Sequence, residues 1–257
     1  MQLKVVLAGL VALGMLTGVA GAFEFVLYAP EPDCDRWTAE ELAENAGVMV
    51  DTYPTLDPEV TVTVHMLCPY VSDLGLDALT DCPATDYSLT GWKWNSAYSG
   101  KLDTSNPYGL SASGLLKAFN DGSEAWDART GADIFGSITS GGLAKNVGRG
   151  DGINQHGFKK GGNYVAVTYT WSSGGRAIES DAGYNTFYPW SLTGESNKMD
   201  VLNVQVHEIG HTFGMGHTST ASVNSCQTMY PYVDYGETQK RTLADGDIIG
   251  LRAIYGN

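Results

Sequence analysis

The stretch His207-Glu208-Ile209-Gly210-His211-Thr212-Phe213-Gly214-Met215-Gly216-His217 decides the fold and the chemistry of this chain. On a helix, His207 and His211 stand one turn apart on one face, with Cβ atoms roughly 5–6 Å apart. Two imidazoles so placed can share one tetrahedral zinc ion at about 2.0–2.1 Å each. Glu208, next to the first of them, can reach the solvent molecule that such a site activates rather than the metal itself. A continued helix would carry His217 ~9 Å beyond His211 along the axis and onto another face. The third histidine therefore joins only if the chain reverses after Phe213. Gly214 can take the left-handed conformation that ends a helix, and Gly216 loosens the return. A purely structural zinc site normally closes with a fourth protein ligand, whereas three histidines leave one corner open to solvent. That favours catalysis.

Working outward, Asp200 is placed to cap a helix running through Val204 to about Phe213, and Leu243 to Tyr255 reads as a closing helix. Ser111 to Ala128 fits an amphipathic helix, with Leu115, Ala118, Phe119, Gly122 and Trp126 broadly on one face. Asn163 to Trp171, rich in β-branched and aromatic residues, predicts a strand, and Arg176 to Phe187 another. Trp92-Lys93-Trp94 opens a strand-like region that ends in the turn-rich stretch Thr104 to Gly109. Further upstream, Thr38 to Val50 has helical character with a capping-box spacing from Thr38 to Glu41. Val60 to Met66 alternates as a strand does, which makes His65 an ordinary strand residue, and His156 falls in a predicted loop. This unequal order of strands and helices points to an α+β fold rather than a repeating βαβ one.

HEIGHTFGMGH resembles the extended zinc signature of the metzincin metallopeptidases, and about Tyr87 to Asn257 is similar to microbial matrixin-like peptidases. Thr228-Met229-Tyr230-Pro231 resembles the Met-turn that lies beneath the metal, with Met229 in support. Leu243 to Gly256 resembles the closing helix, Ser111 to Trp126 the first helix and Trp94 the first strand of matrixins. Ile178-Glu179-Ser180-Asp181, with Asn185 and Trp190, looks like the rim strand and its following loop.

The resemblance implies a metzincin-like zincin domain over 87–257. It would have a twisted, mostly parallel sheet, an N-terminal and an active-site helix, and a small lower part with Met-turn and C-terminal helix. It also implies a zinc endopeptidase with His207, His211 and His217 on the metal and Glu208 as catalytic base, acting on a peptide or protein substrate extended along Asp181 to Phe187. Several positions depart from the family pattern. Thr218 stands where matrixins usually have Ser, and the stretch to Met229 is long and includes Cys226. Pro231 sits where astacins carry a tyrosine ligand. Pro231 and Tyr232 are the candidate wall of the substrate pocket. Only His65 and His156 lie upstream, too few for the family's second zinc. Calcium is a candidate structural cofactor, with Asp151 and Asp181 as its ligands. Cys34 lacks the surroundings of the cysteine that silences matrixin zymogens. A hydrolase of non-peptide amides and a zinc-holding binding module compete with this reading; Glu208 speaks against the second.

Composition bounds the rest. The 257 residues include 15 Lys plus Arg against 29 Asp plus Glu, a formal charge of -14 that repels nucleic acid and anionic membranes. Lys4, the uncharged apolar run Val5 to Leu16 and Ala20-Gly21-Ala22 read as a signal peptide over 1–22. The run is short for a membrane span, so a secreted, extracellular monomer without an anchor is expected. Residues 23–86 form a pro-region or an accessory segment. Four cysteines, Cys34, Cys68, Cys82 and Cys226, favour two disulfides in an exported chain, with three pairings open.

Overall fold

The computed structural model describes residues 34, 50–55, 57–70 and 82–257. The signal peptide expected at 1–22 lies outside these residues, as does the helix expected over Thr38 to Val50 except for Val50, which starts a strand. Among the described residues, eight strands make one sheet: β1 (Val50–Pro54), β2 (Thr61–Pro69), β4 (Tyr98–Asp103), β5 (Phe135–Ser140), β6 (Gln155–Lys159), β7 (Ala166–Ser173), β8 (Arg176–Asn185) and β12 (Tyr232–Val233). Their order is β1-β2-β7-β8-β6-β4-β5, with β12 on β2. Short strands β3 (Ser88–Leu89) and β11 (Met215–Gly216) pair with each other, as do β9 (Trp190–Ser191) and β10 (Met199–Asp200). Three helices complete the fold: α1 (Ala112–Asp127), α2 (Val201–Thr212) and α3 (Asp245–Tyr255).

The sheet is mixed rather than mostly parallel. β5, β4, β6 and β8 run parallel to their neighbours, but β7 is antiparallel to β8, β2 to β7, and β1 to β2. The antiparallel half exists because the hairpin from β7 to β8 turns tightly at Gly174 and Gly175, both at positive φ. Residues 50–69 then extend it. Trp94, expected in the first strand, lies ahead of it, and its indole Nε1 donates to Thr212 O at 2.7 Å. His156 sits on buried β6, not in a loop, with Nε2 2.7 Å from the Tyr98 hydroxyl.

Helices α1 and α2 lie together over the sheet, and their apolar faces join the strands in the main core. Ser111 caps α1 by accepting from Gly114 N at 3.1 Å. The expected apolar face of that helix, Leu115, Ala118, Phe119, Gly122 and Trp126, is buried. Gly122 allows the close approach, since a Cβ there would stand 2.9 Å from Gln205. Trp126, fully buried, donates from Nε1 to Val206 O at 2.8 Å, tying α1 to α2. Asp200 caps α2 by accepting from Asn203 N at 2.9 Å, and Arg241 grips both its carboxylate oxygens. On the other sheet face, a smaller cluster gathers Val62, Val64, Met66 and Cys68 of β2 with Tyr164, Tyr169, Trp171, Tyr230 and Tyr232. The disulfides are Cys34–Cys68 and Cys82–Cys226, so Cys34 is held in a cystine.

Truncating Trp126 to Ala should cost ~3–5 kcal/mol of stability, because it empties the α1–α2 seam and removes the hydrogen bond to Val206 O. Denaturant unfolding followed by circular dichroism measures this; a loss under about 1 kcal/mol would mean the seam is not what holds the two helices.

Candidate metal centre

Three imidazoles meet at the end of α2. His207 and His211 project from one face of the helix, and His217 returns to them from the segment after it. The reversal begins at Gly214, whose φ of +97° suits glycine and whose N–H donates to His211 O at 2.9 Å. A Cβ at Gly214 would stand 2.6 Å from Trp92 O. Strand β11 then pairs with β3, and Gly216 lies so close to Ser88 that a Cβ would come within 2.9 Å of its Oγ. Gly216 thus serves close packing rather than looseness.

The Nε2 atoms of the three rings lie 3.0–3.2 Å apart. His207 Nδ1 is 2.6 Å from Thr228 O and His211 Nδ1 is 2.9 Å from Met215 O. A carbonyl only accepts, so in both rings Nδ1 carries the proton and Nε2 turns its lone pair inward. A second proton on either ring would make a buried imidazolium. Burial opposes that: it drives His207 well below the usual histidine range and His211 to about 3. Two inward lone pairs meeting a third ring nitrogen in a dry interior suit a metal cation that all three can share. A tetrahedral zinc ion with arms of about 2.0–2.1 Å sets its nitrogen ligands ~3.3 Å apart, which the observed spacing fits. Among the described residues this is the one group of three His, Cys, Asp or Glu side chains close enough to share a metal.

Glu208, fully buried, lies beside them. Its Oε2 accepts from Thr168 Oγ1 at 2.6 Å, while Oε1 has no hydrogen-bond partner among the described residues. Burial raises its carboxyl to about 8, and the Thr168 bond pulls the other way. Thr168 sits on β7 and was not singled out by the sequence, where it is one β-branched residue in a strand. Its register, opposite Ala182 on β8 and His65 on β2, brings it over α2.

Met229 is buried against Gly210 of α2: a Cβ there would meet Met229 Sδ at 2.4 Å and Trp126 at 2.6 Å. Asp247, on the first turn of α3, accepts from Thr228 N at 2.9 Å and Met229 N at 3.1 Å. It thereby fixes the carbonyl that orients His207. It also accepts from Ala244 N at 2.9 Å, closing the start of its own helix.

The other expected residues are placed as follows. His65 lies on β2 outside the ligand group, stacked on His211 with ring centroids 4.2 Å apart and 15° between planes. Pro231 and Tyr232 flank β2, and Pro231 O accepts from Cys68 N at 3.0 Å. Asp181 spends its two oxygens on Gly148 N at 2.9 Å and Gln155 N at 2.8 Å, and Asp151 accepts from Ile153 N at 3.1 Å. Asp181 to Phe187 does not form a rim: β8 is paired on both sides, by β7 and β6. β7 is likewise paired on both sides, by β8 and β2.

A family model described as Matrixin matches residues 115–256. The chain is 34% identical over 82 residues to human neutrophil collagenase, covering 32% of this chain and 16% of that protein. It is 32% identical over 95 residues to human matrilysin, covering 37% and 33%. It is 38% identical over 73 residues to metalloendoproteinase 1 of Glycine max, covering 26% and 22%. The chain thus matches a third or less of the length of each of these relatives.

Gly214→Ala should weaken metal binding, because the strained backbone and the clash with Trp92 O displace His217. Competition with a chromogenic chelator is expected to show at least a tenfold loss in zinc affinity; an unchanged affinity would count against the role given to the reversal.

Proposed function

This chain belongs to the matrixin family, and from that premise we propose that it is a secreted, zinc-dependent endopeptidase that uses Glu208 as general base. The reading rests chiefly on three inward-facing Nε2 atoms 3.0–3.2 Å apart beside a buried carboxylate. His207, His211 and His217 would hold zinc. When bound, that ion supplies Lewis-acid polarisation of the scissile carbonyl and acidifies solvent toward neutrality.

The chain's own residues do the remainder. Glu208 takes the proton from the attacking water at Oε1, the oxygen Thr168 leaves free, and delivers it to the departing amine. Thr168 holds the other oxygen and so fixes the direction in which Oε1 points. Thr228 and Met215 carbonyls keep His207 and His211 in the tautomer that can ligate. An extended peptide would lie against β7, facing Pro231 and Tyr232 across the cleft. Met229 would support the metal from below as a Met-turn, in a lower part that also carries His217 and α3. Residues 87–257 would make up the catalytic unit. Export fits the four cysteines paired in two disulfides. Among the described residues no helix is long and apolar enough to cross a membrane.

Elemental analysis of folded protein should find one zinc per chain. Casein and a quenched peptide library, offered before and after limited proteolysis of the enzyme, should be cut and the cutting abolished by chelator. Failure of every form to cut would end the peptidase reading. Glu208→Ala should retain zinc and lose roughly 10²–10⁴ in kcat. Thr168→Ala should lower kcat about ten- to hundred-fold with KM little changed, as expected for loss of one hydrogen bond to a charged group. Thr168→Ser should restore most of it. Equal losses in both variants would reduce Thr168 to a packing residue.

A further inference from the structure

The two residues of β12 take opposite sides. Val233 enters the main core with α2, whereas Tyr232 joins Tyr230 in the cluster on the other sheet face, their ring centroids 5.7 Å apart. On that second side a cavity of about 140 Å³ is lined by Tyr70, Tyr230 and Tyr232 together with residues of the turn after β12. Neither the three histidines nor any residue of α2 lines it. An apolar cavity of roughly 150 Å³ takes a benzene-sized guest, so this one has room for a single long side chain.

Its polar lining leaves one negative charge uncompensated. Glu237 is spent inside the protein, where its Oε1 accepts from the Nζ of fully buried Lys240 and from Asn203 Nδ2 at 3.2 Å. Asp234 lines the cavity from an exposed position, and its Oδ1 accepts from Tyr235 N at 2.6 Å. No cation lies within ion-pair distance of Asp234 among the described residues. Ser225, another lining residue, is buried and its Oγ has no hydrogen-bond partner among the described residues. Gln239 gives Nε2 to Ser225 O at 2.7 Å, which leaves its Oε1 as an acceptor. Burial raises the Tyr232 phenol to about 12, so it stays a neutral hydroxyl.

These groups choose among guests. An apolar one would cover Ser225 and Asp234 without answering their polar atoms. An anion would meet the Asp234 carboxylate. A hard metal ion takes about six or more oxygens and would find one free carboxylate. An organic cation on an alkyl stem suits all of them: stem and charge lie against tyrosine rings, and the head group donates to the carboxylate. The same wall already holds one such group from within, since Lys240 Nζ stands 6.0 Å from the centroid of the Tyr230 ring.

We propose that this cavity is a binding pocket for a basic side chain, a lysine or arginine of a bound peptide, with Asp234 as its counter-ion and Tyr230 and Tyr232 against its stem. The inference adds to the peptidase reading without leaning on it, because none of His207, Glu208, His211 and His217 belongs to the pocket.

The test uses the full chain with ring-labelled tyrosine, followed by NMR, so that binding is located as well as measured. Signals of the two rings are assigned from Tyr230→Phe and Tyr232→Phe. The probes are N-acetyl-lysine methylamide and N-acetyl-arginine methylamide, with N-acetyl-norleucine methylamide as the uncharged counterpart. Both cationic probes should shift the Tyr230 and Tyr232 signals and bind at least tenfold tighter than the norleucine compound. Asp234→Asn keeps the acceptor for Tyr235 N, removes the charge and should abolish that preference. Glu208→Ala should leave it intact. Equal binding of the lysine and norleucine probes, shifts confined to other tyrosines, or an unchanged preference in Asp234→Asn would each overturn the proposal. A chain that takes the lysine probe at these rings yet cuts no peptide would lose the peptidase reading and keep the pocket.

Discussion

Three ring nitrogens converge on one point inside this protein, and hydrogen bonds on two of the rings turn their lone pairs toward it. A ring flip of His207 or His211 would break a hydrogen bond to Thr228 O or Met215 O. Protonation would put charge where burial forbids it. A cation that accepts three nitrogens satisfies them at once, which is why the geometry reads as a metal centre.

Support comes from the polar backbone as much as from the core. Asp247 clamps the amides of Thr228 and Met229, so α3 sets the carbonyl that steers His207. Gly210 lets Met229 and Trp126 close against α2 between its two ligands. Ser180 Oγ, 3.1 Å from Thr170 Oγ1 and 3.0 Å from Thr212 Oγ1, joins β7, β8 and α2 through hydroxyls. Sheet and helix are thereby locked in the relative position that sets Thr168 on Glu208.

Much of this was legible in the sequence because it depends on short-range spacing. The histidines at four and six residues, the glycine at the reversal, the Ser111 and Asp200 caps, and the apolar face of α1 are all local patterns. What escaped depends on register between distant strands. Thr168 matters only because β7 lies where it does, and nothing in Tyr-Val-Ala-Val-Thr-Tyr-Thr marks it out. The rim was assigned to Asp181 to Phe187, yet that strand is interior, and the alternation of β2 could not say which edge it would join. Trp94 has the composition of a strand but is drawn out by its bond to Thr212 O. Disulfide pairing was open on sequence for the same reason: Cys82 meets Cys226 across a separation of 144 residues.

That long crosslink has a practical side when the chain meets a peptidase. Any single nick between residues 82 and 226 leaves two fragments still covalently joined. On a gel run without reductant the damaged molecule would migrate near the intact one, and only thiol treatment would separate the pieces. A single cut within this loop can therefore pass unseen, and intactness of this chain has to be judged after reduction.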